Sequence, residues 1–241
     1  MITQMFWGKN SFRTFWILII SILLYTGCGS KDPLFTNLPS AKTNISFSNT
    51  LENKPLLNIL YYLYYYNGAG VSVGDINNDG LVDIYFAANS KGHNKLYLNK
   101  GNFQFEDITE KAKVAGSADW CTGVTMADVN GDGYLDIYVS TVSGRYGLTG
   151  HNELFINNKD NTFTESSEAF GLNTSSYTTQ SAFFDYDRDG DLDCYILNQS
   201  HHPHQNIVDT INRKNFDSTS GDRLYRNDLN TAAAKFTDVS S

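Results

Sequence analysis

Three nine-residue stretches carry side chains whose types and spacing suit a hard cation. Residues 75–83 read D-I-N-N-D-G-L-V-D, residues 128–136 read D-V-N-G-D-G-Y-L-D, and residues 185–193 read D-Y-D-R-D-G-D-L-D. Oxygen side chains stand at positions 1, 3 and 5, a glycine at 6 allows a sharp backbone turn, and a carboxylate stands at 9. With the backbone carbonyl of position 7, such a loop closes six or seven oxygens at calcium distances. The expected ligand sets are Asp75, Asn77, Asp79, Leu81 and Asp83; Asp128, Asn130, Asp132, Tyr134 and Asp136; and Asp185, Asp187, Asp189, Asp191 and Asp193. Asp, Asn and Gly also dominate ordinary turns, but three copies in one register favour Ca²⁺ at three sites.

The same letters decide which kind of calcium loop this is. An EF-hand needs a bidentate Glu at position 12 and flanking helices, whereas position 12 here is Phe86, Val139 and Ile196. Each loop is followed instead by a run of β-branched and aromatic residues headed by Asp83, Asp136 or Asp193, which reads as a buried strand. The metal is therefore expected in a hairpin.

The loops start 53 and 57 residues apart, a period of repeat architectures. Within each unit a first strand (Val71-Ser-Val-Gly, Val124-Thr-Met-Ala, Ala182-Phe-Phe) precedes the loop and a second follows it. A third is Lys95-Leu-Tyr-Leu-Asn, Glu153-Leu-Phe-Ile-Asn and Arg223-Leu-Tyr-Arg-Asn. A fourth begins at Phe103, Phe163 and Phe236. Four antiparallel strands per repeat predict an all-β fold of β-propeller blades, about three of them, over residues 68–117, 118–176 and 177–241.

These residues carry a resemblance. The blade with D-x-[DN]-x-D-G-x-x-D is similar to the FG-GAP/VCBS repeats of integrin α-subunit propellers. The wording around it (V-G-D-I-N-N-D-G, N-K-L-Y-L-N, F-E-D-I-T) resembles bacterial relatives of cartilage acidic protein. The resemblance covers residues 68–241 and implies Ca²⁺ at the three loops and an extracellular binding or adhesion role, with an extracellular protein or glycan as ligand. It implies no enzyme activity. Such propellers usually have seven blades and closed rings need about four to eight, so the expectation is a truncated version of a longer protein. The alternative is an open arc that completes itself by self-association through open blade edges.

Ahead of the repeats, Lys9 and Arg13 precede an apolar run over residues 15–25, too short for a bilayer span but suited to a signal-peptide core. The run ends L-Y-T-G-C, which resembles a bacterial lipoprotein signal with Cys28 as the lipidated residue, although Tyr25 departs from the usual aliphatic. An ordinary signal peptide or an uncleaved anchor is the other reading. Residues 1–27 are thus expected to be a leader. Residues 28–54 read as a polar tether with one strand-like stretch at Ile45-Ser-Phe47, and residues 55–241 carry the repeats. The expected location is the cell envelope, with a membrane partner through the lipid.

The chain has 18 Lys and Arg against 26 Asp and Glu, and loss of Lys9 and Arg13 with the leader moves the formal charge from −8 to −10. Nucleic acid is a poor partner for such a surface. Cys121 and Cys194 are expected to stay unbridged as small core residues. The tyrosines at 61, 62, 64, 65 and 66 read as packing more often than as a sugar-stacking platform. The histidines at 201, 202 and 204 lack further ligands at metal spacing.

No nucleophile elbow, zincin helix, phosphate loop or dinucleotide fingerprint is present, and Glu165 and Glu168 read as solvated surface. The favoured function is therefore a non-catalytic binding module. The alternative is part of an extracellular carbohydrate-active enzyme. Strand alternation puts the metal loops on one side. The 2-to-3 loops lie on the other, lengthening from 89–94 through 140–152 to 198–222, and that side is where recognition is expected.

Overall fold

The computed structural model describes residues 33–51, 54–200, 217, 219–228 and 236–240. The expected leader, Cys28 and the three histidines lie outside them. Residues 33–39 fall in a separate N-terminal unit and carry no regular structure.

The second unit, from Ser40 on, contains three four-stranded antiparallel sheets in simple meander order. Blade one is β1 (Val71–Gly74), β2 (Asp83–Phe86), β3 (Lys95–Asn99) and β4 (Phe105–Asp107). Blade two is β5 (Cys121–Ala127), β6 (Asp136–Thr141), β7 (Glu153–Asn157) and β8 (Phe163–Glu165). Blade three is β9 (Thr178–Phe184), β10 (Asp193–Asn198), β11 (Arg223–Asn227) and β12 (Phe236–Asp238). The all-β blade reading holds.

The first strands lie side by side, β1 against β5 and β5 against β9. Thr122 Oγ1 donates to the Thr178 carbonyl at 2.7 Å and Thr125 Oγ1 to that of Ser181 at 2.8 Å. Gly123 is needed here, because an added Cβ would lie 2.6 Å from the Thr179 carbonyl oxygen. Apolar side chains fill the space between neighbouring blades. Tyr85, Leu96, Ile137, Val139 and Phe155 belong to one buried cluster, and Tyr138, Leu154, Cys194, Ile196 and Tyr225 to a second. Cys121 and Cys194 are free, buried and in different clusters. Tyr85 and Tyr138 are wholly buried yet satisfied, their hydroxyls donating to the carbonyls of Val114 and Leu172.

Some local expectations need correction. Ile45-Ser-Phe47 forms no strand; it runs irregularly over blade one, where Phe47 stacks on Phe86 at 4.8 Å and Ser46 donates to the Tyr97 hydroxyl. β5 and β9 start earlier than their alternation suggested, because their first residues pair onward with β6 and β10 across register shifts. β4 starts at Phe105 and not at Phe103, which takes a left-handed turn, whereas β8 and β12 start where expected; β4 and β8 are followed at once by helical turns. Asp107 takes the N–H and hydroxyl of Thr109, and Glu165 takes the N–H of Ser167, starting the short helical turns Thr109–Ala112 and Ser167–Phe170.

The tyrosine run is neither strand nor helix but a series of turns. Tyr62 and Tyr65 are buried with Trp120, Val142, Leu148 and Tyr177, while Tyr61 and Tyr66 are exposed.

Candidate metal centres

Each of the three loops joins the first two strands of a blade, and the backbone obeys the predicted turn. The position-6 glycines have φ of 85° (Gly80), 86° (Gly133) and 97° (Gly190). Position 4 is left-handed as well, at Asn78, Gly131 and Arg188, a constraint the sequence reading missed. Asn and Gly tolerate that region, whereas Arg188 sits there at a cost of order 1–2 kcal/mol.

Backbone hydrogen bonds draw the ligand-type side chains of each loop inward, and among the described residues three carboxylates come within metal-holding distance of one another in loop three alone. Asp75 accepts from the N–H groups of Asp79 (3.1 Å) and Gly80 (2.7 Å), and Asn77 Oδ1 accepts from Asp79 as well. Loop two repeats this with Asp128, Asn130, Asp132 and Gly133 at 2.8 to 3.1 Å. In loop three, Asp185 takes the N–H groups of Arg188, Asp189 and Gly190. Carboxylate oxygens of Asp185, Asp187 and Asp193 all lie within 4.8 Å of one another. That separation is about twice a Ca²⁺–oxygen distance of 2.3–2.6 Å, so the donor set and its span fit the ion. Leu81, Tyr134 and Asp191 follow the turning glycine, where a position-7 carbonyl is required.

The position-9 carboxylates are wholly buried and hold the loop to its blade. Asp83 takes the N–H groups of Ile76 and Asn99, Asp136 those of Val129 and Asn157, and Asp193 those of Tyr186 and Asn227, all at 2.8 to 3.0 Å. Burial raises the Asp83 carboxyl and lifts Asp136 to about 7, helped by Asp132 and Asp128 and opposed by the two backbone donors. Partial desolvation and then Asp189 raise Asp187, and the same causes push Asp191 up to about 6. A divalent cation would reverse this crowding of like charges.

Sequence reasoning missed the asparagine that ends each third strand. Asn157 Nδ2 donates to the carbonyl of Leu135 in its own blade and, at 2.8 Å, to that of Ile76 in loop one. Asn227 Nδ2 does the same to Leu192 and, at 3.2 Å, to Val129 in loop two. Asn78 of loop one also donates to the Gly133 carbonyl of loop two. The available signal was an Asn closing every third strand. Loop two has a further neighbour: Lys159 lies 3.4 Å from Asp132 and over the Tyr134 ring.

With this geometry in hand, comparison with known proteins is informative. The family model described as FG-GAP-like repeat matches residues 75–139 and 142–196, which contain all three loops and the first strands of blades two and three. Cartilage acidic protein 1 of Xenopus tropicalis is 38% identical over 84 residues, and that of Mus musculus 39%; each match covers 35% of this chain. The chain spans only 13% of the length of those relatives. A solved structure concerned with recognition of non-reducing terminal N-acetylglucosamine by an Agrocybe aegerita lectin aligns at a TM-score of 0.37 and 18% identity. It covers 69% of this chain and 36% of that one. The repeated loop, the four-stranded blade around it and the matched model give one result: the chain belongs to the FG-GAP-like repeat family.

Proposed function

We propose that this is an exported, calcium-stabilised propeller-type binding or adhesion module without catalytic activity, held at the cell envelope through lipid on Cys28. The observation that carries the calcium reading is the convergence of Asp185, Asp187 and Asp193 oxygens within 4.8 Å, on a loop built three times over. Ca²⁺ would be held by Asp75, Asn77, Asp79, Asp83 and the Leu81 carbonyl in loop one, and by the corresponding residues of loops two and three. When bound, the ion neutralises carboxylates that otherwise repel. The protein's own part is to fix the loops through Asp83, Asp136 and Asp193.

The ligand side is the face opposite the metal loops, where the 2-to-3 connections of blades one and two lie beside the aromatic segment. The partner proposed is an extracellular protein or glycan. A second copy of the chain could also dock along the exposed flank of β1, where Val71 and Val73 are 55% and 60% exposed.

The test is thermal unfolding of calcium-loaded protein before and after chelation, together with turnover assays on a polysaccharide panel. A melting temperature that drops in chelator and returns with Ca²⁺, with no turnover, is expected. An unchanged melting temperature would remove the calcium role, and turnover would remove the non-catalytic reading.

A further inference from the structure

On the face away from the metal loops, the starts of β5 and β9 and the backbone leading into β1 converge on a cavity of about 230 Å³. It is smaller than the roughly 300–1,000 Å³ of drug-sized pockets. Tyr62, Tyr64, Trp120, Asn67, Gln180 and Gln199 are among its lining residues, and no charged side chain lines it. Tyr62 meets the Trp120 ring edge-on at 5.9 Å, and its hydroxyl lies 3.0 Å from Gln199 Nε2, which fixes that amide at the wall. Gly123 leaves the space that Gln180 Oε1 occupies. Among the described residues, the Tyr64 hydroxyl and the Asn67 side-chain amide have no protein hydrogen-bond partner and reach solvent, which leaves them available to a ligand.

Aromatic rings beside planar amides suit a molecule with apolar C–H faces and a rim of hydroxyls. The chemistry is different across Trp120. There a second cavity of about 360 Å³ is lined by Lys54, Lys91, His93 and Asp119. The uncharged side therefore discriminates against anions.

We propose that the Tyr64–Trp120–Gln180 cavity is a binding site for one neutral pyranose unit of a glycan. This deepens the binding-module reading above and rests on it.

Trp120 makes the site directly observable, because the other two tryptophans, Trp7 and Trp16, lie in the expected leader. In full-length protein carrying Trp7→Phe and Trp16→Phe, fluorescence is titrated with methyl glucoside, galactoside and mannoside and with the corresponding methyl uronates. A saturable change with at least one neutral glycoside is expected. It should weaken at least tenfold in Tyr64→Ala and in Gln180→Ala, at unchanged melting temperature. Binding that survives both substitutions, or a preference for uronates, overturns the proposal. So does the absence of any response in protein whose melting temperature still rises with Ca²⁺. In that case the calcium-stabilised module stands and only the pocket assignment falls.

Discussion

Asn157→Ala tests whether the blades are tied to one another through the metal loops. The side chain is 3% exposed; it donates to the carbonyls of Ile76 and Leu135 and accepts from the Lys159 N–H at 2.8 Å. Ile76 is itself 1% exposed, so its carbonyl loses its donor with little access to water. An orphaned buried acceptor costs about 1–3 kcal/mol, and the two nearer-surface bonds add about 0.5–1.5 kcal/mol each before solvent replaces them. A total of about 3 kcal/mol is expected, or roughly 6–12 °C in melting temperature for a chain of this size. Asn99 supplies the control. It makes the equivalent bonds to Val82 and Gly101 but none to another blade, and it is only half-buried, so Asn99→Ala should cost about 1 kcal/mol. Both variants are to be melted with saturating Ca²⁺ and in chelator. If Asn157→Ala melts within 2 °C (on the order of 0.5–1 kcal/mol) of Asn99→Ala, the inter-blade bond carries no weight and the reasoning fails.

Other outcomes follow from the same geometry. Loop three has Asp187 where loops one and two have Asn77 and Asn130, so it should bind Ca²⁺ most tightly. Calorimetry should show Asp187→Asn weakening that site towards the others and Asp193→Ala abolishing it. Removing the cation beside Asp132 with Lys159→Met should strengthen loop two up to about fivefold, the equivalent of an exposed ion pair, and an unchanged titration would show that Lys159 does not compete. Glu153 is 2% exposed, and burial raises its carboxyl above the ordinary 4.5, against the Ser117 donors and His151 and with help from Glu165. A raised folded-state pKa means stability present at low pH and lost as pH climbs beyond 4.5. Urea unfolding should therefore show Glu153→Gln gaining on the parent between pH 4 and pH 7.5, and a gap constant with pH would contradict this. Cys28→Ser should release the protein from membranes, and continued fractionation with them would identify the apolar leader itself as the anchor.

What the sequence made legible was local. The loop reads from nine residues, and the strand order β1-β2-β3-β4 follows from short alternating runs joined by tight connections, which is why blade topology could be read without a structure. What it hid depends on distance or on brevity. Asn157 and Ile76 are 81 residues apart, and nothing in either neighbourhood announces their bond. The helical turns after β4 and β8 span four residues each, too few to show a helical period. The tyrosine run reads as packing, and the structure agrees for Tyr62 and Tyr65. Their partner Trp120 comes from the second repeat, though, so the cavity beside them had no signature in either segment. The charge swap at Glu153 was visible beside Lys95 and Arg223 at the same place in the other blades. Those two pair with Asp107 and Asp238, whereas Glu153 turns to Ser117.

Taken together, the hydrogen bonds of the metal face form one continuous path through three blades. Asn99 is joined to Ile76 through Asp83, Ile76 to Asn157 through its carbonyl, and Asn157 to Val129 through Asp136. Val129 is joined in turn to Asn227, and Asn227 to Tyr186 through Asp193. Each carboxylate on the path stands at position 9 of one loop, and Asn157 and Asn227 each hang on the loop of the blade before. A cation that orders one loop therefore also fixes the acceptor on which the next blade hangs. The same blades bring the starts of β5 and β9 together at the far end of the strands, where the uncharged cavity lies. If the loops hold calcium as proposed, an ion on one face would help hold the geometry of the other without touching it, through strands only a few residues long.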